Sequence, residues 1–299
     1  MTQTDTMAAQ MAEKAGFIAA LDQSGGSTPG ALRHYGVADD AYQGDEAMYR
    51  LIHDMRVRII SSPAFTGEKV IGAILFEKTM DGQAGGKPVP TFLWEDRGVV
   101  PIIKVDKGLE TEKDGASVLK PMPDLDALLS RAKGLGVFAT KMRSVIAKAS
   151  KDGVDAVIKQ QFEIGAQISR AGLVPIIEPE VSIKAPDKAE AEQLLNEAIT
   201  RQLDVWRGDT KVMLKLTLPT RPDLYEALTR HPQVMRVVAL SGGYPRADAC
   251  AKLAQNHGMI ASFSRALIDD LKKGMSDAEF DATLQRTIDE IYDASVQKD

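Results

Sequence analysis

Eight short apolar runs, separated by amphipathic helical stretches, constrain this chain more than any other feature. They are Phe17–Asp22, Val70–Phe76, Val99–Val105, Val137–Met142, Leu173–Glu180, Lys211–Leu216, Arg236–Ser241 and Met259–Arg265. Most are apolar on both faces, which suits parallel strands covered on each side rather than a half-exposed sheet. Between the runs, Met48, Leu51, Ile52 and Met55 keep helical spacing, as do Leu125, Leu128 and Leu129, and then Leu194, Leu195, Ala198 and Ile199. A last helix opens on the capping-box pattern Ser276-Asp-Ala-Glu279 and continues through Phe280, Leu284, Ile288 and Ile291. Eight strand–helix repeats in 299 residues predict an α/β chain, a (β/α)₈ TIM barrel rather than an open doubly wound sheet. No Pro/Gly/Ser-rich linker divides the chain, so residues 1–299 read as one single-domain barrel.

Charge narrows the partners. The 37 basic and 42 acidic residues are dispersed, with no basic run of the kind that neutralises phosphates along a nucleic acid. A local basic pocket for a small anion stays compatible with the net charge of −5. Cys250 is the sole cysteine, which rules out an intramolecular disulfide and points to the reducing cytoplasm. The segment Met1 to Ala15 lacks the basic and apolar regions of a signal peptide. No apolar run approaches the roughly 20 residues of a membrane helix. The histidines His34, His53, His231 and His257 show no ligand spacing, so neither a metal nor another cofactor is expected. Gly25-Gly26…Gly30 misses the GxGxxG spacing of a dinucleotide site, and Gly86-Lys87 is no P-loop.

Ionisable residues gather at the ends of the apolar runs. Side chains at i and i+2 share one face of a strand, so Lys141 and Arg143 point the same way, as do Glu178 and Glu180. Asp22 ends the first run, Lys104 and Asp106 the third, Lys215 lies in the sixth and Arg265 ends the eighth. In a barrel those C-terminal strand ends converge on one mouth, where such folds place their chemistry. Lys215 sits in Val212-Met-Leu-Lys-Leu-Thr-Leu218, which otherwise reads as buried strand. Burial among other cations favours the neutral amine, the form that attacks a carbonyl. A structural salt bridge to Glu178 or Glu180 accounts for the same lysine equally well. Those two carboxylates could divide into a proton shuttle and a fixed anion, or merely neutralise lysines. Ser241-Gly242-Gly243 after the seventh strand suits a phosphate, with Arg265 gripping the same anion, and an ordinary glycine turn is the alternative.

These segments, taken together, resemble class I fructose-bisphosphate aldolases, more closely their short bacterial branch, from about residue 15 to about residue 270. The resemblance is carried by Ala20-Leu-Asp-Gln-Ser-Gly-Gly-Ser27, Val99-Val-Pro-Ile-Ile-Lys-Val-Asp-Lys-Gly108, Ala139-Thr-Lys-Met-Arg143, Ile177-Glu-Pro-Glu180, Leu214-Lys215, Leu240-Ser-Gly-Gly243 and Ser264-Arg-Ala-Leu267, in family order. It implies a metal-independent, Schiff-base lyase that reversibly cleaves D-fructose 1,6-bisphosphate in glycolysis and gluconeogenesis. Lys215 would attack the ketone and Glu178 would act as general acid/base. Asp22 would orient hydroxyls, while Lys141 and Glu180 hold the proton network. Ser241, Gly242, Gly243 and Arg265 would bind the phosphate nearest the ketone, and Lys104, Ser24, Ser27 and Arg143 the distal one.

Three positions depart from the family pattern. Long-tailed members end in a mobile tyrosine, whereas the last aromatic here is Tyr292, on a predicted helix. Ser264 stands where a glycine is usual, and Gln23 where a glutamate is. Either another group reprotonates the enamine, or Tyr292 plays a modified part. Two other readings stay in view: a Schiff-base barrel acting on another phosphorylated sugar, and a non-catalytic barrel scaffold. Related barrels form dimers or tetramers, and the sequence leaves a homo-oligomer open.

Overall fold

In the computed structural model, which describes residues 2–299, the eight apolar runs lie side by side as parallel strands. They are β1 (Phe17–Leu21), β2 (Val70–Leu75), β3 (Val100–Lys104), β4 (Ala139–Ile146), β5 (Val174–Val181), β6 (Val212–Thr217), β7 (Val234–Leu240) and β8 (Met259–Ala261). Each pairs with its neighbours in chain order. The ring closes just past β8, where the Ala20 N–H donates to the Phe263 carbonyl at 3.0 Å. This is the (β/α)₈ barrel that the repeats predict.

The pleat sorts side chains into two cores. Ile18, Ala20, Ile74, Val100, Ile102, Ala139, Ile176, Met213, Val238 and Ile260 pack together inside the barrel. Their sequence neighbours, among them Phe17, Ala19, Ala73, Ile103, Ile177, Leu214 and Val237, pack outward against the helices. A strand buried on both faces therefore reads as a continuous apolar run. The predicted helical stripes are the buried ones: Met48, Ile52 and Met55 on Gly44–Ser61, Leu125, Leu128 and Leu129 on Leu125–Gly134, and Phe280, Leu284, Ile288 and Ile291 on Asp277–Val296. Ser276 and Glu279 form the expected reciprocal cap.

An additional helix, Gln3–Glu13, closes the N-terminal end of the barrel. Thr2 and Asp5 cap it reciprocally, and Met7 and Met11, one turn apart, reach into the interior core. Gln10 donates to the carbonyls of Ile71 and Gly98 at 2.9 and 2.8 Å, and Arg236 donates to that of Met11 at 2.9 Å. The helix is thus tied to three strand beginnings. Met1 lies outside the described residues. No helix among the described residues is long and apolar enough to cross a membrane.

The eighth strand is shorter than the sequence suggests. Ser262 still donates to Ala239 on β7 at 2.7 Å, but Ser264 takes φ −107°, ψ −83° and leaves the strand path. Arg265 therefore opens a one-turn helix, Arg265–Ile268, instead of ending β8. The fourth strand, by contrast, runs on to Ile146, where a two-residue arm, Ala116–Ser117, pairs with it antiparallel.

Candidate active site

The inward row that is apolar in the lower half of each strand turns ionisable at the top. On β1 the row Ile18, Ala20 is followed by Asp22; on β3, Ile102 by Lys104; on β5, Ile176 by Glu178; on β6, Met213 by Lys215. Register brings the row to one level, with Lys104 opposite Lys141 and Lys215 opposite Val238. The result is a cavity of about 940 Å³ at the C-terminal mouth. Of the side chains and turns expected there, all line it except Gly243, which adjoins it through Gly242.

Glu178 is the hub. It is 3% exposed, and its two oxygens face two different lysines: Oε2 lies 3.1 Å from Lys141 Nζ and Oε1 lies 3.2 Å from Lys215 Nζ. Lys141 also pairs with Asp22 at 2.5 Å. Burial alone would push the Asp22 carboxyl up, but the ammonium groups of Lys141, Lys215 and Lys104 outweigh it and hold Asp22 well below the usual carboxylate range. For Lys141, burial favours the neutral amine, yet Asp22, Glu178 and Asp106 outweigh that and hold it charged beyond the usual lysine range.

The three lysines of the cavity are thereby distinguished. Lys141 is committed to two carboxylates. Lys104 donates to both the carbonyl and Oδ1 of Asp106, each at 2.7 Å. Lys215 has one ion pair among the described residues, to Glu178. The salt-bridge account of Lys215 is therefore met by Glu178 rather than Glu180, in an arrangement that also suits a nucleophile beside its acid/base. Glu180 pairs instead with Arg143 Nε at 2.5 Å, nearer the rim. The two carboxylates of one strand face thus have different partners.

The phosphate candidates follow different strands: Ser241 to Gly243 and Arg265 come after β7 and β8, whereas Lys104 and Arg143 lie on β3 and β4. Gly242 and Gly243 both adopt left-handed backbone (φ 61° and 109°), and a Cβ on Gly243 would stand 3.1 Å from the Arg265 guanidinium. Glycine suits both positions by conformation, and at Gly242 a Cβ would also stand 2.6 Å from Ile183. Ser24 and Ser27 follow β1, beside the end of β8, and bound the short turn Gly25–Ser27. The Ser27 hydroxyl donates to the Ser24 carbonyl at 2.9 Å and accepts the Ser24 N–H at 3.0 Å, so it mainly shapes the turn. Tyr292 is not among the cavity residues; its ring lies 5.4 Å from Lys69 Nζ, and Lys69 immediately precedes β2, at the opposite end of the barrel.

Sequence assigns no role to three supporting residues, although it places Asp106 at the mouth. Asp106 holds Lys104 and also accepts the Arg143 N–H at 3.2 Å. Gln161, buried on Lys151–Arg170, accepts the Glu178 N–H at 2.8 Å, because the β5–β6 pairing stops at Ile177 and Leu214. Arg56 is 1% exposed on Gly44–Ser61 and donates to Thr79 Oγ1 at 2.8 Å and to the Gln23 carbonyl. Burial draws its guanidinium down to about 10, with Asp22 opposing. The available signal was a polar residue inside an apolar helical stripe: Arg56 beside Ile52, Met55 and Ile59, and Gln161 beside Val157, Ile158 and Phe162. Among the described residues, no group of three or more His, Cys, Asp or Glu is placed to hold a metal ion.

Comparison with known proteins fits this geometry. The family model described as fructose-bisphosphate aldolase class-I matches residues 4–226. A Synechocystis protein named fructose-bisphosphate aldolase class 1 is 53% identical over 287 residues, covering 96% of each chain. A Porphyromonas gingivalis protein of the same name is 51% identical over 288 residues, covering 96% of this chain and 98% of its own. Among solved structures, a Plasmodium falciparum fructose-bisphosphate aldolase superposes with a TM-score of 0.79 at 20% identity, covering 98% of this chain and 93% of that one. At that identity the likeness speaks to the fold alone. A buried lysine–glutamate–lysine–aspartate cluster at the mouth of such a barrel, together with half the sequence shared along nearly its full length, places the chain in the class I fructose-bisphosphate aldolase family.

Proposed function

We propose that this chain, as one catalytic domain, reversibly cleaves D-fructose 1,6-bisphosphate into dihydroxyacetone phosphate and D-glyceraldehyde 3-phosphate through a Schiff base on Lys215. The observation that carries the proposal is the contact of Lys215 with Glu178, whose other oxygen faces Lys141. A buried amine and a carboxylate in contact are what carbinolamine formation and dehydration need. Lys215, once deprotonated, adds to the C2 carbonyl. A proton delivered from Glu178 lets the carbinolamine oxygen leave as water, giving the iminium.

Cleavage follows from the same pair. The Glu178 carboxylate takes the C4 hydroxyl proton, the C3–C4 bonding electrons flow toward the iminium, and the aldehyde departs to leave an enamine. The cationic nitrogen accepts the electrons that would otherwise reside on carbon. Asp22, held as a carboxylate, accepts hydrogen bonds from substrate hydroxyls. Lys141 stays charged beside Asp22 and Glu178, while Glu180 fixes Arg143 at the edge of this network.

The two phosphates are received by different chemistry. Backbone N–H groups at Gly242 and Gly243 and the Arg265 guanidinium suit the dianion nearest the ketone. Lys104 donates two protons to Asp106 and has a third for the distal phosphate, with Arg143, Ser24 and Ser27 alongside. The substrate class is thus a small ketose carrying phosphate at both ends. The test is cleavage of fructose 1,6-bisphosphate, fructose 1-phosphate and a third phosphorylated ketose, with and without a chelator. Preferred turnover of the bisphosphate, undiminished by EDTA, is expected. Preference for another ketose would reassign the substrate, and loss of activity restored by Zn²⁺ would contradict the Schiff-base route.

A further inference from the structure

We propose that Gln23 and Ser264 form a side-chain clip across the barrel seam, anchored by Arg56, that sets the position of Arg265. They would be positioning residues for the phosphate nearest the ketone. The inference rests on the reading of Arg265 given above and extends it to two residues of the cavity wall.

The seam between β1 and β8 is where the barrel is least tied by its own backbone. The paired register covers β1 with β2 and β7 with β8, and β8 is three residues long. The N–H of Ala20 reaches the carbonyl of Phe263, already beyond the strand. The next residue, Ser264, lies outside both helical and extended backbone regions, and Arg265 follows at once. A segment without ladder hydrogen bonds is held by what its side chains contact.

Here the contact is specific. Gln23 Nε2 donates to Ser264 Oγ at 2.6 Å and reaches the Ala20 carbonyl at 3.3 Å. The amide orientation follows from its other side, because Oε1 faces the Arg56 guanidinium at 3.3 Å and a guanidinium can only donate. The same guanidinium donates to the Gln23 carbonyl and to Thr79 beyond β2. Arg56 is buried, so water is not at hand to replace these partners. The chain Thr79–Arg56–Gln23–Ser264 therefore joins the ends of β2, β1 and β8, running from behind the cavity into its wall. Gln23 and Ser264 are also the two internal positions at which the sequence leaves the family pattern, and the structure brings them into contact with one another.

The test compares bisphosphate cleavage, dihydroxyacetone-phosphate binding and thermal melting for Ser264→Ala, Gln23→Met, their double variant and Ser264→Thr. Either single loss should raise KM roughly three- to tenfold, the equivalent of one neutral hydrogen bond, with kcat moving much less. The double variant should be no worse than the worse single, since both remove one contact. Ser264→Thr keeps the hydroxyl and should recover KM. In an Arg265→Ala background, Ser264→Ala should change KM no further. Additive losses, a fall confined to kcat, or a lower melting temperature with KM unmoved would overturn the clip. Ser264→Ala removes a single oxygen and keeps the test available if Gln23→Met does not fold. A wild-type chain that cleaves no bisphosphate would sink the reading of the reaction, whereas wild-type turnover with KM unchanged in the variants sinks the clip alone.

Discussion

The two mouths of this barrel are built from the same strands and have opposite natures. At the N-terminal end, inward Ile18, Val100, Ala139 and Val174 meet Met7 and Met11 of the plugging helix, and every one of these side chains is buried. Two to four residues further along the same strand faces stand Asp22, Lys104, Lys141, Glu178 and Lys215, around an open cavity. The lower end gains stability from apolar contact, about 1.5–3 kcal/mol for a fully buried side chain of Met size. The upper end holds charges that are costly to bury and persist because they are paired. One end supports the fold and the other is the proposed seat of the chemistry, and the boundary between them is a single rung of the pleat.

Substitutions can break that division, and we rank them by expected effect on turnover. Glu178→Gln removes the proposed proton shuttle but keeps the shape, and kcat should fall on the order of 10²-fold or more. Stopped-flow measurement should show both iminium formation and cleavage slowed. A near-normal rate would move the acid/base role to Asp22 or Glu180. Arg265→Ala should weaken dihydroxyacetone-phosphate binding by roughly 1.5–3 kcal/mol, the range for hydrogen bonds to charged groups, and raise KM accordingly. Unchanged affinity in titration calorimetry would rule Arg265 out of the phosphate site. Met11→Ala, at the closed end, should cost about 2–5 kcal/mol of stability in denaturant unfolding while kcat stays near wild type at a temperature where the variant is folded. A large loss of kcat there would mean that the two ends are not separable.

Much of this division is legible in the sequence. Period and composition locate the strands because both faces are buried, and an ionisable residue ending such a run stands out against Val, Ile and Leu. Lys215 within Val212–Leu218 is the clearest instance. What the sequence hides depends on contacts between distant segments. Glu178 and Glu180 share a strand face, yet only the structure assigns one to the lysines and the other to Arg143. Arg265 looks like a strand end because Met259–Phe263 is apolar but for Ser262, whereas the chain turns off at Ser264. Arg56 and Gln161 lie on helices far along the chain from the strand ends they hold, so their roles have no local signature beyond a polar residue in an apolar stripe. The helix Gln3–Glu13 carries only Met7 and Met11 as its buried residues, too few to mark it as a plug.

The account turns on covalent chemistry at one lysine. Lys141 pairs with two carboxylates and Lys104 is hydrogen-bonded twice to Asp106 at 2.7 Å, while Lys215, among the described residues, pairs with Glu178 alone, at 3.2 Å. Borohydride in the presence of dihydroxyacetone phosphate should therefore trap a secondary amine on Lys215 and inactivate the enzyme, with no inactivation when the ligand is omitted. Peptide mapping by mass spectrometry should find the added mass on the Val212–Leu218 segment, and Lys215→Met should neither label nor turn over while still folding and binding phosphate. Label on Lys104 or Lys141 would keep the mechanism and contradict the site. A chain that cleaves the bisphosphate yet is never trapped would contradict both.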